Sequence, residues 1–202
     1  MGQLTLNITE ESELKVIASS AFNFKVELVL NIGTDDFNNI FEISKDLAKV
    51  FNNNFLLNEK NIYKYFNKKT MPFFARYKGE IIGYIIGAPI ENFYSEAWAR
   101  YDTNMGKNNT IYTYAFVMNK RYRKIGGYSK TLKRVYINWL KKQNYKYVTG
   151  HVKQGLSKKF GNNTKIIKIF DDWYNSNSSF EYYRRELWFY FIYLYYLHLL
   201  FH

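Results

Sequence analysis

The chain has 202 residues, 47% of them apolar, and carries a formal charge of +12, with a mean hydropathy of −0.40. That balance fits one globular domain with a substantial core and excludes a disordered chain or an integral membrane bundle. The absence of cysteine removes thiol nucleophiles, disulfide frameworks and cysteine metal clusters, and His151, His198 and His202 are too scattered to suggest a metal centre, so none is expected.

Residues 1–24 are weakly patterned and read as an N-terminal extension. They lack a basic stretch followed by an apolar core, so no secretory signal is expected and a cytoplasmic location is. Gly2 is not followed by the Ser or Thr that myristoylation requires, since Leu6 stands there. The Asn-x-Ser/Thr matches at Asn7, Asn108, Asn162 and Asn177 reflect an Asn-rich chain. The domain proper is expected over residues 25–187. KVELVLNI at 25–32 reads as a strand. Thr34 or Asp35 then caps a helix whose Phe37, Ile40, Phe41, Ile43 and Leu47 share a face, and a shorter helix is expected over 59–67.

MPFFARYKGEIIGYIIGAPI predicts two strands, 73–77 and 81–87, joined at Lys78-Gly79 and ended by Pro89. Residues 92–109 form a polar, aromatic-dotted loop long enough to be functional. TIYTYAFVM at 110–118 is another strand, and it leads directly into the basic glycine turn RYRKIGGYS. Residues 129–142 predict an amphipathic helix, with Leu132, Val135, Tyr136, Trp139 and Leu140 on one stripe. A strand follows at 145–152, a further helix is expected within 158–174, and a strand at 179–187. The run LWFYFIYLYYLHLLF at 187–201 is shorter than the ~20 residues that span a bilayer. It is expected to pack on the domain or on a second copy, as a homodimer contact, with an interfacial membrane role as the second reading.

The glycine turn carries the chemistry. Unpaired N–H groups at a helix start, reinforced by the peptide dipoles and by Arg121, Arg123 and Lys124, make a cradle for an anion. Neither a P-loop nor a dinucleotide fingerprint is present. Taken with the hairpin GEIIGYIIG, the strand YAFVM, the following amphipathic helix and YKYVTGHV, the turn resembles the GNAT superfamily of N-acetyltransferases over residues 25–187.

That resemblance implies an α/β (α+β) fold, a central mixed and mostly antiparallel sheet flanked by helices, with acetyl-CoA as acyl donor. The family pattern [QR]-x-x-G-x-[GA] falls on Arg123, Gly126 and Tyr128, matching in its first two places. A shift by one gives Lys124, Gly127 and Ser129, and the Tyr122-Arg123 pair favours the first register. Phe116, Val117, Met118, Arg123, Lys124, Ile125, Gly126, Gly127, Tyr128 and Ser129 are therefore the expected cofactor-binding residues. Tyr128 stands where the family keeps a small residue, so its ring is expected either to obstruct the cofactor or to displace the helix start.

The implied reaction is direct attack of a primary amine on the thioester, the amine belonging to a peptide N-terminus, a lysine or a small molecule. It needs a base, oxyanion donors at Val117 and Met118, and an acid for the thiolate. His151 is the expected base, ahead of Glu80 and Glu91. The family's helical tyrosine aligns with Phe170, which has no proton to give, so Tyr174, Tyr182 and Tyr183 are its substitutes. Two other readings are a catalytically degenerate copy of the fold that binds a partner, and a basic nucleic-acid-binding protein. The spread of basic residues over many segments argues against nucleic acid.

Overall fold

A computed structural model describes residues 10–21, 23–51 and 56–187. Its frame is one eight-stranded sheet in the order β1-β2-β3-β4-β5-β6-β8-β7. The strands are β1 (Glu13–Ser19), β2 (Phe24–Asn31), β3 (Pro72–Tyr77), β4 (Glu80–Pro89), β5 (Thr110–Met118), β6 (Tyr147–Lys153), β7 (Thr164–Phe170) and β8 (Phe180–Glu186). All neighbours pair antiparallel except β5 and β6. Helix α1 (Phe37–Phe51) covers one face with the four-residue α2 (Ile62–Tyr65), and α3 (Tyr128–Lys142) covers the other.

The helix faces follow the sequence periodicity. Ile40, Ile43 and Leu47 of α1 are buried against Val29, Phe74 and Val117. Leu132, Tyr136 and Leu140, four residues apart on α3, are buried against Phe73, Ile85 and Ile111. Helix α3 ends on left-handed Asn144 (φ 64°), with Tyr145 N–H bonding the Leu140 carbonyl at 3.2 Å and Asn144 N–H that of Lys141 at 2.9 Å. This closing turn satisfies two terminal carbonyls and sends the chain back into β6.

Two expectations change. Residues 13–19, inside the segment read as an extension, form edge strand β1, paired with β2 from Glu13↔Asn31 to Ser19↔Lys25. No α-helix lies within 158–174. Strand β7 occupies 164–170 and pairs with β8, flanked by short turns at Ser157–Phe160 and Trp173–Asn175. The aliphatic spacing of Ile166, Ile167 and Phe170 imitates a helical stripe, but β-branched residues along TKIIKIF suit a strand. Phe170 and Tyr174 therefore do not share a helix. The apolar run from 188 onward, with its homodimer and membrane readings, lies outside the described residues.

Candidate functional site

The parallel pair β5–β6 holds for only three positions, Thr110↔Tyr147, Ile111↔Val148 and Tyr112↔Thr149. Beyond them β5 stays on β4 while β6 continues along β8 to Lys153↔Phe180, so the two strands diverge. Strand β5 also carries a bulge. Ile86 pairs with Ala115 but Gly87 with Thr113, leaving Tyr114 as the extra residue. Its effect is visible in the core: Tyr114, Ala115 and Val117 all pack toward α1. Met118 and Ile111 face α3. Bulges bend a strand and re-aim its side chains.

The divergence opens a cleft of about 450 Å³ lined by Phe116, Val117, Met118, Arg123, Gly150 and Tyr183, among others. Four of the ten expected cofactor residues thus border it directly. The backbone orientation corrects the expected donors. Asn119 N–H bonds the Ile82 carbonyl at 2.8 Å, and a Cβ built on Gly83 would meet the Val117 carbonyl oxygen at 2.7 Å, so Val117 turns its backbone to β4. By strand alternation, the N–H groups of Phe116 and Met118 face the divergence.

The remaining expected cofactor residues, Lys124 to Ser129, form the turn at the head of α3. Gly126 (φ 63°) and Gly127 (φ 66°) are both left-handed, a conformation that costs a residue with a Cβ about 1–2 kcal/mol. The first backbone bond of the helix runs from Thr131 N–H to the Gly127 carbonyl at 2.9 Å. The N–H groups ahead of it are the helix's unpaired donors, the geometry of an anion nest. Arg123 is tied down. Its Nε donates to the Met118 carbonyl at 2.9 Å and its Nη2 to Asp46 at 3.0 Å, so it braces the turn against α1.

Tyr128 leaves this cradle. Its ring packs on Phe24 at 4.9 Å and Tyr77 at 5.1 Å, with Tyr122 at 6.2 Å. It also covers the side of Gly126 where a Cβ would stand, 2.6 Å from the ring. The helix start is not displaced, for α3 begins at Tyr128 itself.

On the far wall of the cleft, Lys133 and Arg185 lie near one another without a carboxylate partner among the described residues. Burial and the Arg185 charge bring the Lys133 ammonium down to about 8, and its Nζ sits 3.8 Å over the Phe160 ring. Tyr183 is 7% exposed, and its hydroxyl is 3.4 Å from a Cβ built on Gly150. Burial pushes that hydroxyl up to about 12, so it remains protonated at neutral pH.

A second cleft of about 480 Å³ is lined by Lys64, Tyr65, Phe93, Glu96, Trp98, Tyr112, Tyr114, Trp173 and Tyr174 among others. Tyr114, at the bulge, borders both clefts. Tyr174 donates from its hydroxyl to Glu96 Oε2 at 3.0 Å. Burial, then the Glu96 carboxylate, raises it to about 12, with Trp98 opposing. Tyr174 is left-handed (φ 49°, ψ 45°), a strained setting for an aromatic residue. Sequence reasoning missed Glu96; the only signal was that it lies in the aromatic-dotted loop.

His151 lines the first cleft from β6 and packs among the aromatic residues of the second. It is 8% exposed, stacked on Trp173 at 3.5 Å, with Nδ1 2.9 Å from the Tyr112 hydroxyl. Burial lowers it to about 2, so the ring stays neutral and is a weak proton acceptor. Tyr182 donates to Asp102 at 2.8 Å on the face away from Tyr183. Glu91 accepts from Asn108 N–H at 2.8 Å, a loop contact, and Glu80 lies 3.4 Å from the Tyr122 hydroxyl in the hairpin.

No protein-family model matches the chain, and no curated protein matches it in sequence. Solved structures do match it in shape. Ard1 from Thermoplasma volcanium superposes with a TM-score of 0.58 at 14% identity, covering 83% of this chain and 99% of that one. The ribosomal-protein-S18-alanine N-acetyltransferase from Escherichia coli gives 0.58 at 11%, covering 82% and 95%. Arabidopsis thaliana Naa50 in complex with the bisubstrate analogue CoA-Ac-MVNAL gives 0.55 at 16%, covering 79% and 97%. At such identities the likeness is one of architecture. With its diverging β5–β6 pair and bulged β5, the chain has the acyl-CoA N-acyltransferase fold of the GNAT superfamily.

Proposed function

We propose that the chain is a GNAT-superfamily N-acetyltransferase that carries an acetyl group from acetyl-CoA to a primary amine. The observation behind this reading is the parallel pair that parts after three residues. It opens a cleft that runs from the bulge to Arg123 at the head of the glycine turn, and a second cleft shares Tyr114 with it. A two-substrate transfer needs two such adjoining spaces, one for the donor and one for the acceptor. The solved neighbour in complex with the bisubstrate analogue CoA-Ac-MVNAL supports a reading with two substrates.

The chain's own residues suit the steps. N–H groups at residues 124–130 would hold a diphosphate, and those of Phe116 and Met118 face the pantetheine path and the thioester oxygen. The acceptor enters as an ammonium with an ordinary pKa of about 10, so a base must take its proton before attack. Glu96, the carboxylate of the second cleft, fits this role better than neutral, enclosed His151. The freed amine attacks the carbonyl carbon, the C–S bond breaks, and the departing thiolate needs a proton. Tyr183, protonated and facing the first cleft, can supply it. Tyr174 holds Glu96 in place and is the second candidate donor.

The test combines purified protein, acetyl-CoA and a panel of primary amines, with mass spectrometry of the products. Acetylated amine is expected, and much less of it with Gly126→Glu, whose Cβ would meet the Tyr128 ring at 2.6 Å in a left-handed turn, distorting the cradle's backbone and adding a negative charge beside it. No product from any amine, together with no binding of millimolar acetyl-CoA, would overturn the reading.

A further inference from the structure

The second cleft has a composition that selects among amines. Seven of its thirteen lining residues are aromatic. They form a continuous wall: Tyr65 stacks on Tyr114 at 4.9 Å, Phe93 lies 6.5 Å from Tyr114 and 5.5 Å from Trp98, and Trp98 lies 6.2 Å from Trp173. Against this wall stands a single carboxylate, Glu96, whose Oε2 accepts from Tyr174 at 3.0 Å and whose other oxygen has no partner among the described residues. The only other charged lining residue is Lys64, which makes no salt bridge among the described residues.

We propose that the acceptor is a singly charged amine carried on an apolar or aromatic body, and that polyamines and polycationic antibiotics are rejected. The proposal rests on the second cleft being the acceptor side. One carboxylate neutralises one ammonium, and aromatic faces add cation–π attraction to that same group. The ring faces around it offer apolar surface to a side-chain-sized body. A second ammonium would meet Lys64 with no carboxylate to offset it, in a protein already at +12, and like charges in a partly desolvated cleft repel. The same chemistry is presented by a small arylalkylamine and by a peptide whose first residue is apolar.

The experiment is calorimetric titration of the full chain, with and without CoA, using phenethylamine, 2-phenylethanol, spermidine and a tetrapeptide amide beginning with phenylalanine. Phenethylamine or the peptide is expected to bind at least tenfold more tightly than 2-phenylethanol and spermidine. The tighter of the two identifies a small molecule or a chain terminus as the source. Glu96→Gln is expected to weaken the amine at least tenfold without changing 2-phenylethanol, and Lys64→Glu to improve spermidine several-fold. Equal affinity for the amine and the alcohol, preference for spermidine, or no binding by any probe would overturn the proposal. These are binding readouts. Amine binding without acetyl-CoA binding would leave this cleft's selectivity standing while removing the acetyltransferase reading.

Discussion

Gly126 and Gly127 share one backbone conformation but differ in what surrounds them, which makes their alanine variants a controlled pair. A Cβ on Gly127 meets nothing within 4 Å, so Gly127→Ala carries only the left-handed backbone term, about 1–2 kcal/mol. A Cβ on Gly126 stands 2.6 Å from the Tyr128 ring, so that ring must also leave Phe24 and Tyr77. Each aromatic pair lost is worth about 0.5–1.5 kcal/mol, giving a total of roughly 2–5 kcal/mol with the backbone term. Urea denaturation measures the difference directly. In thermal melts each kcal/mol shifts a chain of this size by about 2–4 °C. In a Tyr128→Ser background the two glycine variants should cost the same, and Tyr128→Ser alone should leave acetyl-CoA affinity within about threefold, because the ring lies outside the cradle. If Gly126→Ala proved no worse than Gly127→Ala, or if Tyr128→Ser tightened acetyl-CoA tenfold, the placement of this ring would be wrong.

Three further outcomes are expected. Lys133 falls to about 8 in the fold against an ordinary 10.5. The folded state therefore sheds its proton first, and between those pH values this group makes stability rise with pH. Lys133→Gln should be more stable than the parent at pH 7.5 by roughly 1–3 kcal/mol, with the gap closing toward pH 10.5; a gap constant with pH would contradict the buried ammonium. His151→Phe should preserve the stack on Trp173 but leave the buried Tyr112 hydroxyl unpaired, costing about 1–3 kcal/mol. It should not move the acidic limb of the pH–rate profile, and a moved limb would restore His151 as the base. Tyr183→Phe should lower kcat about a hundredfold or more while acetyl-CoA affinity holds, and unchanged turnover would remove Tyr183 from the acid role.

The proposed donor side was legible in the sequence because its parts are contiguous. Strand 110–118, the glycine turn and α3 follow one another in the chain, and their periods of two and 3.6 are clear. The proposed acceptor side was hidden. It gathers Lys64, Tyr65 and Thr70, then Ile86 and Ala88, residues between Asn92 and Trp98, Tyr112 and Tyr114, and Trp173 and Tyr174, five segments that only the folded sheet brings together. The loop at 92–109 could be singled out by its length and aromatic content, but Glu96 could not be told from other surface carboxylates. The two edge strands failed for a common reason. β1 and β7 each pair on one side and expose most of their residues, so neither shows the alternation of a half-buried strand. The direction of the Tyr128 ring depended on Phe24 and Tyr77, distant in sequence, and no local pattern reports such a contact.

A crystal structure of the protein with CoA would decide whether the divergence of β5 from β6 is the donor site. Pantetheine is expected between Thr113–Met118 and Gly150–Lys153, with the diphosphate on the N–H groups of residues 124–130 and the Tyr128 ring still against Tyr77. CoA bound elsewhere on the surface, with the divergence filled by protein side chains, would contradict it.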